Sequence, residues 1–169
     1  MASSIMDTYI TGLKNAHALE KQAVQLLSRQ EERLEHYPDQ LQIITTHRRE
    51  SEIQAERLEQ ILERHGTSHS ALKDFVTQMS GNLAALAHAP MQDEILKNTF
   101  ANYAFEHFEI AAYKSLIALA KEVGDHQSIP MLQQSMEEEV KTAKLIEAGI
   151  EQVTLKYAHR EAAGQTAGV

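Results

Sequence analysis

Hydrophobic positions in this chain recur every three or four residues, the spacing of one helix face, and nowhere alternate as a half-buried strand would. Ile5, Tyr9, Leu13, Ala16, Val24, Leu27 and Leu34 form the first stripe. They predict a helix from Ser4 to His36, with Ser3 or Ser4 as N-cap and Pro38 as its stop. Leu41, Ile44, Leu58, Ile61 and Leu62 predict a second helix from Asp39 to His65, ended by Gly66. Residues 67–90 carry a shorter helix, Ser70 to Leu86, with a break at Ser80-Gly81. Ile95, Thr99, Leu116, Ile117 and Ala120 mark a third long helix between Pro90 and Gly124. The fourth begins at Ser128-Ile129-Pro130, where a first-turn proline is tolerated, and runs to Arg160. Residues 164–169 are expected to fray as a flexible tail behind a single domain over 1–163.

Helices of roughly 25 to 34 residues far exceed the usual mean of about 12. Such lengths suit a bundle, where long antiparallel helices share one seam. Two tight hairpins joined by a crossover of about 24 residues match a ferritin-like four-helix bundle with one long crossover and a short fifth helix, rather than simple up-down-up-down packing. The fold class is all-α.

Polar residues interrupt the stripes where a Leu is due. Glu20 stands among Leu13, Ala16, Val24 and Leu27; His47, Glu50 and Gln54 lie between Ile43 and Leu58. Asn102, Glu106, Glu109 and Tyr113 lie between Thr99 and Leu116, and Glu139 between Met136 and Ala143. At about 1.5 Å per residue, each antiparallel hairpin brings its pair, Glu20 with Glu50 and Glu109 with Glu139, within about 9 Å along the axis. Superposing the halves sets Glu20 on Glu109, Glu50 on Glu139 and His17 on Glu106, a weak trace of internal duplication. One inward Glu is ordinarily explained by snorkelling or by a bound water, and His47 alone by a satisfied half-buried ring. His36, His65, His69, His88 and His126 fall at helix ends or in the crossover. His107 reads as peripheral, Tyr103 as a core aromatic, and Glu137 and Glu138 as solvated face residues. What those ordinary readings explain poorly is one carboxylate per long helix at a common depth.

Charge and composition narrow the chemistry. A net charge of −8 and a pI near 5.6 argue against a nucleic-acid partner, which needs a concentrated basic face. The absence of cysteine removes disulfides, thiolate metal sites and cysteine nucleophiles together. No apolar run is long enough for a bilayer, and no signal-like segment precedes Lys14, so no membrane partner and a cytoplasmic location are expected. Several ionised carboxylates in one core lose hydration and repel one another; shared protons, basic partners or cations must compensate. Lys141 and Lys144 lie off the inward row. Two divalent ions would supply the missing charge, and carboxylate with imidazole suits iron or manganese, with zinc a third candidate.

At these same residues the sequence resembles the YciE/YciF family of ferritin-like stress proteins. The resemblance is carried by Glu20-Lys21-Gln22, His47-x-x-Glu50-Ser51, Gln54-x-x-Arg57-Leu58, Phe105-Glu106-His107-Phe108-Glu109-Ile110-Ala111-Ala112-Tyr113 and Glu137-Glu138-Glu139. It spans roughly residues 8 to 155. It implies a helical bundle with a fifth helix in the crossover, often a homodimer, related to di-iron carboxylate proteins and associated with stress, with ferroxidase-like activity. The family's Asp and Tyr before Glu-Lys-Gln are Asn15 and His17 here, and its later Lys and Asp are Val140 and Ala143. The Glu-x-x-His turns of di-iron bundles are absent: Glu50 is followed by Ile53 and Glu139 by Thr142, while His17 and His47 precede Glu20 and Glu50 by one turn. The expected ligands are Glu20, His47, Glu50, Glu106, Glu109 and Glu139, with Gln54, Asn102 and Tyr113 hydrogen-bonding them. The expected chemistry is oxidation of Fe(II) by O₂ or peroxide. The rival expectation is a metal-free polar core of protonated carboxyls in a non-enzymatic dimer.

Overall fold

The computed structural model describes residues 4–83 and 92–168. Its helices are α1 (Ile5–Glu31), α2 (Pro38–Arg64), α3 (His69–Leu83), α4 (Glu94–Glu122) and α5 (Ile129–Ala162), with no strand among the described residues. The expected termini at Leu86 and Pro90, and His88, lie outside those residues.

Local chemistry sets the helix ends. Ser4 closes a reciprocal capping box with Asp7: its hydroxyl accepts from the Asp7 N–H, and the Asp7 carboxylate accepts from the Ser4 N–H. The first helix stops at Glu31 rather than His36, because the chain turns through residues 32–37 before Pro38 opens α2 at its first position. A residue before proline avoids helical backbone, so Pro38 starts the second helix as much as it bars the first. The break expected at Ser80-Gly81 is absent, and α3 continues to Leu83. Gly124 takes φ +77°, letting the Asp125 N–H return to the Ala120 carbonyl and close the end of α4.

α1 packs on α2 and α4, and α5 packs on α4 and α2, closing a ring of four with α3 against α1. Tyr9 near the start of α1, His65 after α2 and Asp125 between α4 and α5 meet at one end. Arg33 after α1 and Glu94 at the start of α4 meet at the other. The directions are therefore up, down, down, up, and α3 lies in the long connection that carries the chain back along the bundle. Gly12 is what lets α1 approach α4: a Cβ there would stand 2.9 Å from a Leu116 methyl.

Of the residues expected to fray, 166–168 carry tertiary contacts instead. Ala167 is buried, its carbonyl accepts from the Tyr37 hydroxyl, and the Gly168 carbonyl accepts from the Ile95 N–H at 3.0 Å. Arg160 Nε donates to the Thr166 carbonyl at 2.7 Å. Short polar sequence offers no periodic signal for such docking, which depends on where Tyr37 and Ile95 are placed.

The apolar core is split in two. One cluster, including Tyr9, Leu13, Leu58, Ile61, Leu116 and Leu132, fills the end where Asp125 lies. Another, including Ala23, Leu27, Tyr37, Ile44, Ile95 and Val153, fills the opposite end. Between them many inward positions are polar.

Candidate metal centre

The polar layer draws on all four long helices. Glu20 (α1), His47, Ser51 and Gln54 (α2), Glu106 and Glu109 (α4), and Glu139 and Thr142 (α5) are each at most 2% exposed. Each takes the place of an apolar residue in its helix's buried row, which is why the neighbouring Leu and Ile side chains carry it inward. His47, Glu106, Glu109 and Glu139 each offer a ligand atom within 4.8 Å of the others. His47 Nε2 stands 3.0 Å from Glu106 Oε1 and 3.8 Å from Glu139 Oε2.

Hydrogen bonding does not saturate this layer. Glu20 Oε2, Glu106 Oε2 and both oxygens of Glu109 and of Glu139 lack a well-formed hydrogen bond, although the Gln54 amide lies beside Glu139. Burial, reinforced by Glu139, pushes Glu20 up to about 8, against the opposing hydrogen bond of Tyr113. Burial also pushes Glu106 up to about 8 and Glu139 up to about 9. Glu109, buried and facing Glu20, Glu139 and Glu106, is held well above the carboxylate range. Buried carboxylates with free lone pairs and raised proton affinity are those an added cation or proton would stabilise most.

The other expected residues fall around this set in different ways. Glu20 receives the Tyr113 hydroxyl at 2.6 Å and lies near enough to Glu106 and Glu109 to raise both. Glu50 sits at the edge: its side chain is 19% exposed, Lys141 reaches it at 3.3 Å, and Thr142 Oγ1 lies 3.5 Å away. Lys141, read as off the row, is thus long enough to reach the rim. Gln54 donates to Glu138 at 3.1 Å. Asn102 stands apart, exchanging both amide bonds with Gln30 at 2.8 and 3.2 Å rather than reaching the carboxylates. His17, one turn before Glu20, pairs with Glu59 at 2.7 Å and leaves Nδ1 without a partner. His107 is exposed, edge-on to Tyr103.

Two contributors escaped sequence reasoning. Glu138, taken for a solvated face residue, accepts a bidentate pair from Arg57 at 2.6 and 2.9 Å, and this holds it below the usual carboxylate range despite burial. The signal was available in Gln54-x-x-Arg57, which aims an amide and a guanidinium at one side of α2. Ser51 is fully buried beside Glu20, a small hydroxyl without a periodic signature of its own.

The family described as a domain of unknown function, DUF892, matches residues 4–159. The chain belongs to this family. Among solved structures, one from Xanthomonas campestris pv. campestris is similar with a TM-score of 0.78 and 24% identity, over 94% of this chain and 99% of that one. YciF, described as a stress protein of E. coli, has a TM-score of 0.68 and 23% identity, over 87% and 94%. YcfI, described as a putative structural protein from Rhodopseudomonas palustris, has a TM-score of 0.66 and 23% identity, over 86% and 94%. At these identities the likeness is one of fold, and the family relation to YciF-like proteins agrees with the resemblance read from the motifs. Among the described residues no helix is long and apolar enough to cross a membrane.

Proposed function

We propose that this protein is a ferritin-like, stress-associated metal-binding bundle whose mid-depth layer holds iron or manganese as a dinuclear carboxylate centre. His47, Glu106, Glu109 and Glu139 would hold the first ion, and Glu20 and Glu50 extend the donor set toward a second. The observation that carries this reading is the buried group His47, Glu106, Glu109 and Glu139, which can offer one ligand atom each within 4.8 Å of one another while several of its carboxylate oxygens are orphaned. Hard oxygen donors with one nitrogen suit Fe(II) or Mn(II). Iron held by these residues would supply one-electron redox chemistry, in keeping with the expected oxidation of Fe(II) by O₂ or peroxide. Of this chain's own groups, Tyr113 orients Glu20, and Gln54, fixed by Glu138, lies against Glu139.

The test is metal analysis after aerobic Fe(II) addition to the native chain and to Glu109→Ala and Glu139→Ala, each checked for helicity by circular dichroism. Iron held by the native chain and lost from both folded variants is the expected result; equal iron in all three overturns the reading. The raised proton affinities favour one alternative, a metal-free core of neutral carboxyls sharing protons. Melting curves unmoved by Fe(II), Mn(II) and Zn(II) would select it. A homodimer is proposed through the outward face of α4, where Phe100 and Phe108 are 49% and 59% exposed in line with Ala104 and Ala111. Phe108→Lys should convert the native mass in size-exclusion light scattering to that of one chain.

A further inference from the structure

The layer that would hold the ion is closed to solvent on the residues that face it, so a cation needs a way in. Among the described residues two ion pairs of Arg or Lys with Glu bridge α2 and α5, and they differ. Arg57 grips Glu138 with two short bonds, 2.6 and 2.9 Å, and Gln54 adds a third donor. Nearby along the same seam the polarity is reversed, and Lys141 reaches Glu50 through one contact at 3.3 Å. The Lys141 side chain is 62% exposed, so the pair is a surface ion pair of the kind that contributes little and opens readily. Behind it the polar atoms form a file. Glu50 Oε2 lies 3.5 Å from Thr142 Oγ1, Thr142 Oγ1 lies 3.4 Å from His47 Nδ1, and His47 Nε2 lies 3.0 Å from Glu106. Glu50 also acts electrostatically on Glu106.

We propose that the α2–α5 seam at Glu50 is the entry path for a divalent cation, and that the Lys141 ammonium is its gate, occupying the place of the incoming charge until displaced. This rests on the metal-centre reading and adds how the site is filled. The long contacts allow Glu50 and Thr142 to pass an ion inward, whereas the Arg57–Glu138 clamp keeps the helices in register beside the path. An ammonium at the mouth repels a dication, so it slows uptake without entering the occupied site.

Anaerobic stopped-flow uptake of Co(II), followed by its visible absorption, tests this in low salt. Lys141→Ala should take up the ion several-fold faster than the native chain and Lys141→Glu about tenfold faster, an advantage that shrinks in high salt, with the final ions per chain unchanged. Lys144→Ala, on an exposed neighbouring position, should match the native rate. Glu59→Gln should also match it, because the His17–Glu59 pair lies between α1 and α2, away from the Lys141 seam. Rates indifferent to Lys141, or a rate that responds to Glu59 instead, overturn the path while leaving the metal centre standing. A native chain that binds no Co(II) at equilibrium removes the metal-centre reading and this path with it.

Discussion

The bundle end at Asp125 and the central layer both hold carboxylates inside a polar cluster, and their chemistry is opposite. At the bundle end, Asp125 Oδ2 accepts from the Tyr9 hydroxyl at 3.0 Å and from the Ser128 hydroxyl, and faces His65 Nε2 at 2.9 Å; Oδ1 accepts from the Ser128 N–H at 3.3 Å. Arg64 in turn donates to Ser128 at 2.7 Å. Burial pushes Asp125 up, but the hydrogen bonds from Ser128, His65 and Tyr9 outweigh it and hold the group below its ordinary range. In the central layer burial wins, because the carboxylates face one another and donors are few. A self-contained cluster of the first kind latches helix ends together; a cluster of the second kind is incomplete without something added.

The largest expected difference is the response to metal. At about a hundredfold excess of Mn(II) or Fe(II) over its dissociation constant, the melting temperature should rise by about 5–10 °C, and by nothing in Glu139→Ala, as read by calorimetry. Next, Asp125→Ala strands Tyr9, Ser128 and His65 and should lower stability by about 2–3 kcal/mol in urea titrations, while its metal-induced shift stays native. Conversely, Glu109→Leu in the metal-free protein should raise stability by about 1–2 kcal/mol, since it removes two unpaired buried oxygens and leaves apolar volume. A destabilised Glu109→Leu would mean that the central layer is as self-sufficient as the Asp125 cluster.

The remaining expected effect is on the pH dependence. Glu20, Glu106 and Glu139 keep their protons in the folded chain up to about 8, 8 and 9, whereas the unfolded chain loses them near 4.5. Their contribution is therefore fully present below about pH 4.5 and is lost progressively as pH rises toward about 9. Asp125 and Glu138, held low, act in the other sense, contributing above their ordinary range and losing that contribution as pH falls. The metal-free melting temperature should fall on the alkaline side, and Glu139→Gln should make that fall shallower. A native slope retained in Glu139→Gln would count against the raised affinity.

Much of the architecture was legible because it is periodic. Helix number, the two hairpins and the crossover follow from stripes such as Tyr9–Leu13–Ala16 and from Pro38, Gly66 and Gly124. The layer was legible for the same reason: Glu20, His47, Glu106, Glu109 and Glu139 break those stripes and are buried. Reading failed where periodicity carries no information. Glu50 shares a row with Leu58 and yet sits at the rim, since a few tens of degrees of helix rotation decide between core and edge. Asn102 shares a face with Glu106 but lies one turn away and meets Gln30. His65, given no role beyond a helix end, is a partner of Asp125, a pairing that only the meeting of three chain segments creates.

From its amino acids alone this chain determines that four long amphipathic rods form and that each carries polar residues within its apolar stripe, because both follow from spacing along one helix. Which acids converge, which lone pairs are left without donors, and which carboxylates find Arg57, Tyr113 or Lys141 is decided only when the rods pack. The reason is physical: a carboxylate's state depends on dielectric and neighbours within a few ångströms, and those neighbours come from other helices.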